Sequence, residues 1–262
     1  MHYPNPLSSK GQSRYKGRRM PEGSRPLDLL FLGSGNAFAA NGRAFSSFLL
    51  DDRYLFDCGP TVLQQLGKAG IRTDDIQVVF ISHFHADHFF GLPFLFLDGR
   101  YSGRTKPLTI VGPPGIEERT RHLVSLAYSH VIDEAKFEQR YVEVQDGFLS
   151  PVGDLTVSAA QVVHVPDLEC FAFRAERDDR SVVYSGDTTL CDSLLCLSKD
   201  ADVIVVECSC KENKVHLSPS GIEVISQQSP GAKVIVTHLD GHDHPHAFNG
   251  LLVAEDLKRF SL

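Results

Sequence analysis

A chain of 262 residues, 42% hydrophobic and 23% charged, has enough apolar material for one large layered domain or two small ones. Its 26 basic and 33 acidic residues leave a formal net charge of −7, which argues against a surface built to coat nucleic acid. No run approaches the ~18 uninterrupted apolar residues of a membrane span, no N-terminal export signal is legible, and the six cysteines form no C-x-x-C pair, so a cytoplasmic protein with reduced thiols is expected.

In chain order, residues 1–26 are rich in Pro, Gly and Ser and carry Lys10, Arg14, Lys16, Arg18, Arg19 and Arg25 against the single acid Glu22. This composition predicts a flexible basic tail, with residues 27–262 forming the domain proper. Residues 27–32 read as a strand ending in Gly33-Ser34-Gly35-Asn36-Ala37. Residues 45–50 and 54–56 read as a hairpin turning at Asp51-Asp52, and residues 61–69 as a helix stopped by Gly70. The strand 77–81 leads into a buried helix at 89–97. Strand 108–111 ends in Gly112-Pro113-Pro114-Gly115, and a helix follows over 116–127. Strands are expected at 141–144, 155–163, 170–175 and 181–184. The runs 203–206 and 233–236 are nearly all apolar, as in strands covered on both faces. Helices are expected at 218–228 and 250–260. Strands first and helices capping them in each half predict a four-layer αββα sandwich, two central mixed sheets flanked by helices.

Strand 77–81 ends at Ser82-His83-Phe84-His85-Ala86-Asp87-His88. Imidazole nitrogen and carboxylate oxygen are ligands for zinc and its neighbours, and strand ends are where open α/β sheets build sites. Two residues apart in extended chain, His83 and His85 point the same way and can share one metal. Asp87 and His88 lie where the chain turns and can reach a second. One zinc does not need all four, and two metals roughly 3.5–4 Å apart can clamp a hydroxide and a scissile bond. His164, Asp187 and His238 are each the first metal-capable side chain after a β-like run, and Asp187 has two oxygens with which to bridge. A lone histidine among the 12 present is more often a core or surface residue; seven such groups at strand ends are not readily coincidental.

Other features are less pointed. Asp57, in Leu55-Phe56-Asp57-Cys58-Gly59, reads as a carboxylate orienting a ligand histidine, with a turn or cap role as the plainer alternative. The alternating His242, His244 and His246 suit a polar loop better than a third metal site. Arg100, Arg104 and Lys106 fit substrate phosphate or a solvated loop equally. Cys208 and Cys210 are expected to pack at a strand end.

The ordered set His83-x-His85-x-Asp87-His88, His164, Asp187 and His238, with the Asp57 segment and Gly186-Asp187-Thr188, resembles the metallo-β-lactamase superfamily over about residues 27–245. Leu32-Gly33-Ser34-Gly35-Asn36-Ala37 and Ile110-Val111-Gly112-Pro113-Pro114-Gly115 are similar to segments of its ribonuclease Z and phosphodiesterase branch. The resemblance implies an αββα fold and a dinuclear site. His83, His85, His164 and Asp187 would hold one divalent ion; Asp87, His88, Asp187 and His238 would hold the other. Zn2+ is expected, with Mn2+ or Fe2+ as alternatives. Catalysis would fall to Asp87, orienting the attacking hydroxide, and to Glu207 and His216, protonating the leaving oxygen. Such relatives often form homodimers.

Members of that branch that process transfer RNA carry a long arm between the positions of His164 and Asp187. Here only the 22 residues from Val165 to Gly186 intervene. A small or cyclic nucleotide-type phosphodiester is therefore expected as substrate, RNA is disfavoured, and no membrane partner is expected. The alternatives are a tRNA 3′-processing endoribonuclease, a lactonase or thioester hydrolase on the same fold, and a metal-free scaffold. Phosphonate-pathway phosphodiesterases, another arm-less group, carry an N-terminal cysteine cluster; this chain has no cysteine before Cys58.

Overall fold

A computed structural model of the chain describes residues 26–209, 214–241, 248 and 250–262. All of the expected tail but Pro26 lies outside the described residues, as do Cys210, His242, His244 and His246.

Two seven-stranded mixed sheets lie face to face. The first contains β1 (Asp28–Gly33), β2 (Ser47–Leu50), β3 (Tyr54–Phe56), β4 (Val78–Phe80), β5 (Leu108–Gly112) and β6 (Gln139–Glu143) in that order. The second contains β7 (Phe148–Val152), β8 (Leu155–Val162), β9 (Cys170–Arg177), β10 (Arg180–Tyr184), β11 (Val203–Glu207), β12 (Lys233–Thr237) and β13 (Leu252–Val253), also in sequence order. The last strand, β14 (Arg259–Ser261), returns to the first sheet beside β1. Seven helices cover the outer faces among the described residues: α1 (Val62–Ala69), α2 (Ala86–Phe89), α3 (Leu92–Tyr101), α4 (Ile116–Ala127), α5 (Val131–Glu134), α6 (Asp192–Ser198) and α7 (Pro219–Gln228).

Alternation along the strands builds the layers. Inward residues of the first sheet form a row of rings, Phe31, Phe48, Phe56 and Phe80, with successive centroids 5.3, 4.6 and 4.7 Å apart. Phe173 and Tyr184 of the second sheet close on that row. Each buried ring stabilises by about 1.5–3 kcal/mol of area burial, and truncating Phe56 would cost about 3–5 kcal/mol through the cavity it leaves. Outward residues such as Leu30, Leu49, Leu55 and Val79 pack under α1, α3 and α4. Val183, Ile204, Val206 and Val236 pack under α6 and α7. The expected αββα sandwich is what forms.

The β2–β3 hairpin turns over residues 51–53, with Asp51 (φ 53°) and Asp52 (φ 56°) both left-handed and Arg53 N donating to Leu50 O at 3.3 Å. Two expected helices differ. The one at 89–97 is broken: α2 ends at Phe89, Gly91 N donates to Cys58 O at 2.7 Å, and α3 begins at Leu92. It is also only partly buried, since Phe90 and Phe94 are exposed. No helix forms at 250–260. Leu252–Val253 adds a parallel edge to β12 and Arg259–Ser261 an antiparallel edge to β1, because two open edges offer backbone partners that outweigh a weak helical pattern. Edge strand β7, which holds Pro151, and the short helices α5 and α6 escaped the sequence reading. No helix among the described residues is long and apolar enough to cross a membrane.

Candidate metal centre

Strands β3, β4 and β5 run parallel, as do β10, β11 and β12; β8 shares the direction of β10 because both are antiparallel to β9. Their C-terminal ends meet on one rim, where β4 delivers His83, β8 His164, β10 Asp187 and β12 His238. His85 is the N-cap of α2, whose single turn buries Asp87 and His88. That turn lies so close to the chain after β3 that a Cβ on Gly59 would meet Asp87 O at 2.1 Å. Gly186 has φ 57°, and a Cβ there would meet Ser82 Cβ at 2.8 Å. His238 (φ 55°) and Asp57 (φ 56°) are also left-handed without being glycine, the kind of strain that collects at functional sites.

All seven expected ligands come together. The ligand atoms of His83, His85, His164 and Asp187 lie within 4.8 Å of one another, as do those of Asp87, His88 and His238. His83 Nε2 faces His85 Nδ1 at 3.0 Å, and His164 Nε2 faces the same atom at 3.3 Å. Asp87 Oδ2 lies 3.1 Å from His88 Nε2 and 3.3 Å from His238 Nε2. Asp187 Oδ2 sits between the groups, 3.4 Å from both His88 Nε2 and His238 Nε2, 4.0 Å from His83 Nε2 and 3.9 Å from His164 Nε2.

Some of these atoms bond one another, but not all are satisfied. His88 Nε2 and Asp187 Oδ1 are buried with no hydrogen-bond partner. A tetrahedral ion with bonds of about 2.0–2.2 Å separates its ligands by about 3.3 Å, close to the spacings observed. The donor set therefore fits two divalent cations.

The opposite ring atoms are tied off. His88 Nδ1 donates to Asp57 Oδ2 at 2.7 Å, and His164 Nδ1 donates to Val215 O at 2.6 Å. His83 Nδ1 donates to Ser82 Oγ at 2.9 Å, which donates on to Asp57 Oδ2 at 2.8 Å. Each bond fixes the tautomer that leaves Nε2 free. Asp57 also accepts from Ser82 N at 2.7 Å and from the Tyr184 hydroxyl at 2.6 Å, the orienting place expected for it. Ser82, Tyr184 and Val215 were not foreseen.

Burial first, then His88, lowers the His83 pKa well below its ordinary value. Burial likewise lowers His85 and His164, leaving neutral rings. For His88 burial acts the same way, but Asp187, Asp57 and Asp87 outweigh it and raise the pKa well above normal; Asp187 does the same for His238. Burial would raise Asp187, yet His238 and His88 hold it well below the carboxylate range.

Glu207 is fully buried, and Oε1 accepts from His216 Nδ1 at 2.7 Å and from Thr188 N at 3.0 Å. Burial, with Asp187 adding repulsion, pushes the Glu207 pKa well up. His216 Nδ1 is 3.9 Å from Asp187 Oδ2, and Asp187, His216 and His238 form a third group that could hold an ion, a placement spacing did not suggest. The basic segment Arg100, Arg104 and Lys106 is structural. Arg104 is buried and donates to the carbonyls of Thr73, Ile76, Lys106 and Pro107, while Arg100 pairs with Glu134 and Lys106 with Asp74 and Asp75. Cys208 packs in the core as expected.

A family model described as Anti-Pycsar protein Apyc1 matches residues 27–250. A ribonuclease Z of Methanosarcina mazei is 28% identical over 298 aligned residues, covering 88% of this chain and 96% of that protein. Among solved structures, the metallo-β-lactamase fold protein YhfI of Bacillus subtilis superposes with a TM-score of 0.74 at 21% identity, covering 90% of this chain and 99% of its own. The short form of human tRNase Z gives 0.73 at 23% identity, covering 89% and 98%.

Proposed function

The chain belongs to the family described as Anti-Pycsar protein Apyc1 and has the metallo-β-lactamase fold of a metal-dependent hydrolase, and from that footing we propose that it cleaves a small phosphodiester of the cyclic-nucleotide type. His83, His85, His164 and Asp187 would hold one divalent cation, Asp87, His88 and His238 the other, with Asp187 shared; Zn2+ suits the imidazole-rich set. When bound, such a pair lowers the pKa of water toward ~7 and neutralises charge on a phosphoryl group. Asp87 orients the attacking water through its carboxylate. His216, held at Nδ1 by Glu207, carries at Nε2 the proton that the departing alkoxide needs.

The observation that carries the reading is the hydrogen-bonded pair of buried Glu207 and half-buried His216 beside Asp187. An alkoxide leaving phosphorus needs a proton donor, and His216 held by Glu207 is placed to be one. Two facts favour a small substrate over precursor RNA. The residues between His164 and Asp187 are consumed by β9 and β10. The alignment with the M. mazei protein runs to 298 positions, longer than this chain, so that relative has residues this one lacks. The relative's name keeps RNA in the test.

The test is a panel: a 3′,5′-cyclic nucleotide, bis(p-nitrophenyl) phosphate, an acyl lactone and precursor tRNA. Turnover of the first two is expected; turnover of the lactone alone would sink the proposal. His216→Ala should slow the cyclic nucleotide about 10²–10⁴-fold, spare the activated nitrophenyl ester and keep two metals per chain. Loss of metal would instead make His216 a ligand.

A further inference from the structure

Phe38 is the most exposed large apolar side chain among the described residues, at 88%. It lies in the loop 36–42 that leaves β1, and that loop is pinned at both ends to the segment following His238. Asn36 N donates to Leu239 O at 3.3 Å, Leu239 N to Ser34 O at 2.8 Å, and Asn41 Nδ2 to Gly241 O at 2.8 Å. Phe38 N donates to Asn36 Oδ1 at 3.1 Å, an Asx turn that sets the approach to the ring. Two residues of chain span at most about 7 Å, so Phe38 stays near the strand end that delivers His238. Ala39 (φ 48°) and Asn41 (φ 57°) are left-handed without being glycine, so the loop holds a costly shape around a ring that is left largely exposed among the described residues.

Two more exposed apolar side chains adjoin the cluster in sequence. Val163 (56%) directly precedes His164, and Leu190 (39%) follows Asp187 by three residues. Thr189 N donates to Val163 O at 2.7 Å and joins those segments. Isolated exposed apolar residues are ordinary; Val163 and Leu190 lie on the segments that deliver His164 and Asp187, and Phe38 on the loop bonded to the segment after His238.

We propose that Phe38 is a stacking platform for the nucleobase of the substrate, whose phosphodiester lies at the Asp and His cluster. This rests on the phosphodiesterase reading and adds where the substrate's affinity arises. A phenyl ring offers a face but no donor or acceptor, so it reads aromaticity rather than base identity. Purine and pyrimidine cyclic nucleotides should therefore both be favoured over ribose cyclic phosphate lacking a base.

The metal-loaded enzyme is tested in two arms. In the first, Phe38→Ala should raise KM for base-bearing cyclic nucleotides roughly ten-fold with little change in kcat. Their preference over the baseless compound should fall by the same factor, and Phe38→Tyr should restore it. An unchanged preference overturns the proposal. In the second, Phe38→Trp supplies the only indole, since the chain has no tryptophan. A hydrolysis-resistant cyclic phosphorothioate with a base should quench its fluorescence, and the baseless analogue should not. If the enzyme turns over no phosphodiester, the functional reading fails, and the fluorescence titration alone decides stacking: no quenching, or equal quenching by both ligands, overturns it.

Discussion

Asp57 concentrates the logic of the site in one carboxylate. It is fully buried, accepts from Ser82 N, Ser82 Oγ, His88 Nδ1 and the Tyr184 hydroxyl, and through them aims His83 and His88. Tyr184 also packs its ring against Phe48 and Phe56, so Tyr184→Phe keeps the packing and removes one donor. Metal affinity should fall about ten-fold or more by chelator competition, and stability by about 1.5–3 kcal/mol in urea unfolding; unchanged metal affinity would confine Tyr184 to the core. The seven proposed ligands were legible because they are the first metal-capable side chains after apolar runs, four of them within six residues. Their supports were not. Tyr184 reads as an ordinary core aromatic, and the bond from His164 to Val215 uses a backbone carbonyl, which leaves no mark in a sequence.

The turn between β7 and β8 shows how one short element ties the two sheets. Its Asp154 bonds the Tyr54 hydroxyl and Arg53 of the first sheet's β2–β3 hairpin and lies 3.6 Å from Arg177 at the end of β9. Burial alone would raise the Asp154 pKa, but Tyr54, Arg53 and Arg177 outweigh it and lower it. A folded value below the unfolded one means that the contribution to stability is complete above about pH 4 and disappears as pH falls through the folded value. Asp154→Asn should therefore be less stable than the parent at pH 7 and converge with it in strong acid, as read by urea unfolding across pH. A constant gap would show that hydrogen bonding, not charge, does the tying. Elements with a full period and stop signals, such as α4 and α1 with Gly70, were readable in advance. The segment 250–260 was not: its end pairs with β1, over 220 residues distant in sequence, and its start adds only a two-residue edge to β12.

At the scale of the whole molecule, the proposed ligands come from both halves. His83, His85, Asp87 and His88 follow the first sheet; His164, Asp187 and His238 follow the second. Bound ions would therefore cross-link the sheets, and binding to the folded state alone stabilises it by mass action. Saturation at about a thousand times Kd is worth about 4 kcal/mol, so chelation should lower Tm by about 10 °C, and re-adding Zn2+ should restore it. A chain purified without metal and indifferent to chelator would instead favour the scaffold reading. The C-terminal segment joins the same halves by another route, with Leu252–Val253 extending the second sheet and Arg259–Ser261 the first, while Asp256 accepts from Ser34 and Ala44. On the ribosome, β1 is made more than 220 residues before its outer neighbour β14. The nascent first sheet must wait with one edge open over that whole stretch, so closing this edge is a late, long-range step, and the unfinished chain is exposed to edge-on association until it happens.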